Sequence, residues 1–275
     1  MGHHNRHFSG DRYAAAGVWG TPTSTANFCE EDYAITLYIA EFINTLTNLA
    51  YIYYAVQHPG PRRRVRRSPN GAWDYTAPHW TQPDFFAVSL WVLGILSLVF
   101  HATLKHATQY GDELAMLVLA GALLQGSWGP QSRAAALVSW STVVAASALY
   151  LRTGEILHQV YCFQSMILVA GIRTVYLMWG LKKAEAAHEA KGTKDESGKI
   201  TAADALRNWL TSLATLAFAY FLWHIDLEAC GLLRRMRTSL GLPFAWLLEL
   251  HGWWHILTAL GASMYVQLLR ELSYE

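Results

Sequence analysis

Two histidines four residues apart, His251 and His255 in the run LHGWWHILTAL, lie inside a strongly apolar stretch. On a helix that spacing puts both imidazoles on one face, where they can reach one ion. A hydrogen-bonded core role competes with metal binding for an isolated pair, so partners at the same depth decide between them. The run LSLVFHATLKH supplies Ser97 and His101, again four apart, and Asp112 follows at the start of the next apolar segment. If the chain crosses a membrane back and forth, His101 ends one span, Asp112 opens the next, and the histidine pair opens the last, all in one layer. Three imidazoles with a fourth position left for water is the arrangement of a catalytic zinc site, which brings a water's pKa down to about 7. Asp112 is then placed to take a proton and deliver it to a leaving group. Ser97 is placed to hydrogen-bond a developing oxyanion, although read alone it is better taken as a small residue that eases helix packing.

A second polar cluster lies upstream, in TANFCEEDYAITLYIAE. Asn27, Glu30, Asp32 and Glu41 offer side-chain oxygens, and the Phe28 carbonyl is nearby. Oxygen ligands without nitrogen or sulfur favour calcium. The spacing is not that of an EF-hand, and an acidic cap on a helix N-terminus, favoured by the helix dipole, accounts for the same residues.

The elements that must position these groups are apolar. Of 275 residues 53% are hydrophobic and only 15% charged, too apolar for an ordinary soluble domain. Runs long enough to cross a bilayer core recur, at 36–57, 83–104, 112–127, 131–151, 157–179, 206–228 and 244–267. The expected fold is an all-α integral membrane protein, a seven-transmembrane helix bundle. Residues 1–35 form an N-terminal segment, 36–268 the seven-helix domain and 269–275 a tail, with a solvated linker at 182–204. No secretory signal precedes the first apolar run, so the first helix is expected to direct insertion itself. The loop after helix 1 carries RRRVRR and the loop after helix 5 begins with KK, which places that side in the cytosol, the N-terminus lumenal and the C-terminus cytosolic. RRMR at 234–237 falls on the other side, against this orientation. Neither arginine run has the aromatic interleaving of a nucleic-acid site. Cys29 and Cys230 both fall on the lumenal side, where a bond between them is permitted, and Cys162 reads as a small buried hydrophobe.

At these residues the sequence resembles the alkaline ceramidase family of seven-helix membrane amidases. The likeness runs from GVWGTPTSTANFCEEDYAITLYIAEFINTLTNL through SLVFHATLKH and Asp112 to WHIDLEAC and HGWWHILT. It implies that His101, His251 and His255 bind zinc, with Ser97 and Asp112 as catalytic groups beside them. It implies a calcium site from Asn27, the Phe28 carbonyl, Glu30, Asp32 and Glu41, and a Cys29–Cys230 bridge. Asn27-Phe28 stands where the family usually has Asp-Trp, and Asp32 where it has Asn, so one carboxylate is lost and another gained. Phe for Trp is expected to matter little if only the carbonyl binds. Tyr161 in HQVYC is a further oxyanion-assisting residue suggested by the resemblance, one position out of register.

The implied activity is hydrolysis of the N-acyl amide of ceramides, of the phytoceramide or dihydroceramide type, to a fatty acid and a sphingoid base. The implied partner is a membrane lipid, in an endoplasmic reticulum or Golgi membrane, without nucleic acid or an obligate protein partner. The competing classes are a seven-helix receptor of the adiponectin or progestin receptor type, which shares a Ser, Asp and three-His zinc constellation but not the CEEDY block, and a transporter or haem-binding bundle using His251 and His101 for protons or iron.

Overall fold

The computed structural model describes residues 11–61, 63–67, 73–76, 82–129, 131–191 and 200–273. Arg62, the 192–199 part of the expected linker and the ends of the chain lie outside them. The expected all-α fold is observed, with one small addition. The helices are α1 (Phe42–Thr47), α2 (Leu49–Gln57), α3 (Phe85–Thr103), α4 (His106–Ser127), α5 (Arg133–Thr153), α6 (Ile156–Ala190), α7 (Ala202–Glu228), α8 (Cys230–Leu240) and α9 (Leu250–Ser273), with a 3-10 turn at Phe244–Leu248. Four of them, α3, α5, α6 and α7, are long and apolar enough to cross a membrane.

Several boundaries differ from expectation for local reasons. The first span is broken at Asn48 into α1 and α2. Asp112 does not open its helix: α4 begins at His106, which places Asp112 in the second turn. The expected linker is helical as far as Ala190, because KKAEAAHEA is rich in strong helix formers even without an apolar face. The loop after α2 contains a two-stranded antiparallel sheet, β1 (Arg63–Arg67) with β2 (Trp73–Thr76), irregular between Arg64 and Arg66. The segment between α7 and α9, expected to be a connection, is the helix α8.

The ends of α5 show how the sequence sets such limits. The Ser132 hydroxyl accepts the Ala135 N–H at 3.3 Å, and Gly154, at φ 69°, turns its N–H back to the Tyr150 carbonyl.

By its internal contacts the chain divides into two compact units. The first comprises residues 1–53, 90–115 and 214–261. Its interior is Ala26, Phe28, Tyr33, Ala40, Phe100, Leu104 and Leu227, with a second cluster around Cys29, Cys230 and Leu233. The second unit comprises residues 54–89, 116–213 and 262–275. Within it Arg270 of α9 grips both carboxylate oxygens of Asp84, at 2.9 and 2.7 Å, and donates to the His58 carbonyl. Arg173, inside the apolar part of α6, lays its guanidinium 5.4 Å from the Trp128 ring centre and 5.0 Å from that of Tyr176. This cation–π seat accommodates a charge in an apolar helix.

Candidate metal centre

The centre lies in the first unit and depends on how the chain enters α1. A helix leaves its last carbonyls without internal partners. At the end of α3 these are taken by the N-terminal segment. Leu104, at φ 48°, turns its carbonyl to accept Thr23 N and Ser24 N, while Ala40 N and Glu41 N bond the carbonyls of Ala102 and His101. Gln109 of α4 accepts Thr25 N at 2.7 Å from the other side. This stitching delivers Glu41, which is fully buried, to the side of His101.

Glu41 divides its carboxylate. One oxygen accepts Phe28 N at 3.1 Å; the other accepts Asn44 Nδ2 at 3.0 Å and lies 2.5 Å from Nδ1 of His101. Thr47, on α1, stands in the same relation to α9: its hydroxyl is 3.0 Å from Nδ1 of His255. The approach depends on Gly252, because a Cβ there would meet the methyl of Ile43 at 3.0 Å and that of Thr47 at 3.3 Å. The third imidazole, His251, is stacked on the Phe28 ring at 3.6 Å between centres, and its Nδ1 is buried with no hydrogen-bond partner. Phe28 thus meets the histidine cluster through its ring.

One ring nitrogen from each of His101, His251 and His255 lies within 4.8 Å of the others. All three side chains are buried, and among the described residues they are the only such group placed to hold a metal ion. With Nδ1 engaged by Glu41 and Thr47, the free nitrogen of His101 and of His255 is Nε2. One turn before His101 on α3, Ser97 hydrogen-bonds the Asp112 carboxylate across to α4. Ser97 and Asp112 are thus paired across α3 and α4. Tyr161 is 58% exposed on α6.

The oxygen-rich segment is buried throughout: Asn27, Phe28, Glu30, Asp32 and Glu41 are each at most 8% exposed. Glu30 accepts Ile43 N and Asn44 N at 2.7 and 2.9 Å, capping the first turn of α1. Asn27 Nδ2 donates to one Asp32 oxygen at 3.2 Å, and the other Asp32 oxygen is buried without a partner. Burial and the neighbouring Glu41 push the Glu30 carboxyl well above its usual range, and burial, Glu41 and Asp11 push Asp32 up to about 7.

Cys29 and Cys230 form a disulfide, Cα to Cα 5.3 Å. Around it α8 turns two arginines inward. Arg234 holds Asp11 with both terminal nitrogens and donates to the carbonyls of Cys29 and Glu30. Arg237 donates to the Cys29 carbonyl at 3.1 Å and to Glu249 at 2.8 Å. Asp226, at the end of α7, accepts Cys29 N at 3.0 Å and His251 N at 3.3 Å.

Asp226, Glu249 and Thr47 are contributors that the sequence pattern does not single out. Asp226 carried a signal, a buried carboxylate just before a helix N-terminus. Thr47 carried none, because a threonine in an apolar helix more often bonds its own backbone, as this one also does to Ile43 O at 2.8 Å.

Comparison with known proteins agrees over nearly the whole chain. The Ceramidase family model matches residues 20–275. The chain is 30% identical to alkaline ceramidase YPC1 of Saccharomyces cerevisiae, over 93% of this chain and 78% of the relative. It is 27% identical to alkaline ceramidase 3 of Mus musculus, over 91% of this chain and 84% of the relative. Its buried triad of histidines and the Ser97–Asp112 pair are set within the matched residues, and the chain belongs to the ceramidase family.

Proposed function

We propose that this chain is an intramembrane, zinc-dependent amidase that hydrolyses the N-acyl amide of ceramides, of the phytoceramide or dihydroceramide type, to a free fatty acid and a sphingoid base. The observation that carries the reading is the buried three-histidine cluster together with a hydrogen-bonded Ser97–Asp112 pair, in a chain whose relatives are alkaline ceramidases.

The residues present fit zinc. Three imidazoles suit it, two have their outer nitrogen engaged as metal-bound histidines usually do, and the partnerless Nδ1 of His251 lies in the same buried group. Bound there, zinc supplies a Lewis acid for the amide carbonyl and acidifies water. The remaining work falls to the chain. Asp112 takes a proton from the attacking water and returns one to the departing nitrogen, so that water adds across the broken C–N bond. Ser97 holds Asp112 and turns its hydroxyl toward the developing oxyanion.

Calcium is proposed for the N-terminal segment. Three buried carboxylates, Glu30, Asp32 and Glu41, lie together with Asn27 and the Phe28 carbonyl, and one Asp32 oxygen lacks a partner. A divalent cation would offset their mutual repulsion and tie the segment to α1. This role is structural.

In the membrane reading α1 and α2 together, α3, α4, α5, α6, α7 and α9 make seven spans, with the N-terminus lumenal and the C-terminus cytosolic. Of RRMR, Arg234 and Arg237 are paired with Asp11 and Glu249, which leaves Arg235 alone against that orientation. A lumenal disulfide suits the endoplasmic reticulum or Golgi membrane.

The test is a lipid-product profile from purified protein offered a mixed ceramide panel, with and without zinc chelation. The wild type should release sphingoid base, and His255→Ala and Asp112→Ala should not. Full activity in either variant would sink the assignment.

A further inference from the structure

α8 is built inside out. Its inward side carries Arg234 and Arg237, held by Asp11, Glu249 and the Cys29 carbonyl, and Arg237 is only 8% exposed. Its outward side carries Leu232, Met236 and Leu240, four residues apart and 52%, 43% and 52% exposed. The turn that follows continues in kind, with Leu242, Phe244 and Leu247 each about 60% exposed. A helix at a water surface is expected to show the reverse, with its apolar stripe on the core and its charges in solvent. α8 also buries Leu233 and exposes Arg235, but the inward charges of Arg234 and Arg237 and the outward row Leu232, Met236 and Leu240 together suit an apolar medium outside it.

We propose that α8 and the turn after it lie in the interface of a phospholipid bilayer as an in-plane element, with Leu232, Met236 and Leu240 among the acyl chains. Three observations favour lipid over a protein partner. α8 follows directly on α7, which is apolar and long enough to cross a bilayer and carries exposed Phe218 and Phe221. Arg235 is exposed beside the apolar stripe, and with Met236, Ser239 and Leu240 it borders an open surface groove of about 340 Å³. An apolar wall with one free guanidinium at its rim suits an acyl chain and its phosphate, because arginine buries its stem and extends its charge to the headgroup. Finally, the disulfide and both inward arginines fix α8 to the segment that carries Phe28, so the element in contact with lipid is rigidly joined to the ring stacked on His251. The proposal rests on the membrane reading above.

It can be tested apart from activity and apart from that reading. Single cysteines replace Met236, Leu240 or, as a control on α6, the 64% exposed Leu168, in a Cys162→Ala background. Each is labelled with a bimane fluorophore and placed in phospholipid nanodiscs. All three probes should be quenched strongly by brominated acyl chains and weakly by aqueous iodide. Iodide quenching at 236 and 240 with lipid quenching at 168 puts α8 in water and overturns the proposal while the spans stand. Protection of 236 and 240 from both quenchers means a protein covers them, a second copy included, and also overturns it. Iodide access at 168 removes the membrane reading and the proposal together.

Discussion

Glu41 Oε2 lies 2.5 Å from Nδ1 of His101, while the other oxygen of the same carboxylate accepts Phe28 N at 3.1 Å. One buried side chain thus orients an imidazole of the proposed metal centre and anchors the backbone of the residue whose ring is stacked on another, His251. A carboxylate on the outer nitrogen fixes the tautomer, so that Nε2 presents its lone pair to a metal, and such partners matter to affinity almost as the ligands do.

Replacing Glu41 by Ala should therefore lower zinc affinity by about 10- to 100-fold, read by competition with a chromogenic chelator. Glu41→Gln keeps an oxygen that can accept from Nδ1–H and should hold zinc more tightly than Glu41→Ala. Equal zinc retention in Glu41→Ala and wild type would show that the contact is incidental.

Thr47→Val preserves the β-branched shape against Gly252 and deletes only the hydroxyl. The loss of one hydrogen bond to His255, about 1 kcal/mol, should appear as several-fold weaker zinc retention, and Thr47→Ser should restore it. If Val and Ser behave alike, His255 is held by packing alone.

The Cys29–Cys230 bond closes a separation of 201 residues. Removing it as Cys29→Ala/Cys230→Ala should cost about 2 to 5 kcal/mol of stability. The loosened α8 should also release Phe28 from His251, so zinc loss should accompany the lower melting temperature in detergent. A variant that melts as wild type does would refute this.

Burial, Glu41 and Asp11 raise Asp32 from 3.8 to about 7, and burial and Glu41 raise Glu30 as well, in the cation-free protein. The folded state then binds protons that the unfolded chain has already lost. Without calcium, the contribution of Asp32 to stability should fall as pH rises from about 4 through 7. Protons and calcium compete for the same oxygens, so the calcium-induced rise in melting temperature should be larger at pH 9 than at pH 6. A rise that grows toward acid pH would contradict the proposed site.

The apolar spans were legible because long uninterrupted runs have few alternatives. α3 and α5 fall within two residues of their expected limits at each end. His101, His251, His255, Ser97 and Asp112 were legible for the complementary reason, as polar groups where an apolar helix would exclude them. α8 was not: Arg234 and Arg237 face the protein while Leu232 and Leu240 face outward, so a rule written for water misreads it. Arg173 was overlooked because its compensation, the rings of Trp128 and Tyr176, is spread along the chain. The division of Glu41 between Phe28 and His101 is a tertiary fact, and the oxygen count that pointed to calcium had no means of showing it.

The order of the centre's parts along the chain has a consequence for synthesis. His101 and its orienting Glu41 emerge from the ribosome in the first half, whereas His251 and His255 come with the last helix. Asp226, which holds His251 N, and Cys230, which ties down Cys29, arrive only shortly before. Both α3 and α9 must therefore be made before the three imidazoles can meet. A chain released before α9 is made lacks two of the three imidazoles, and on the proposed mechanism it is inert.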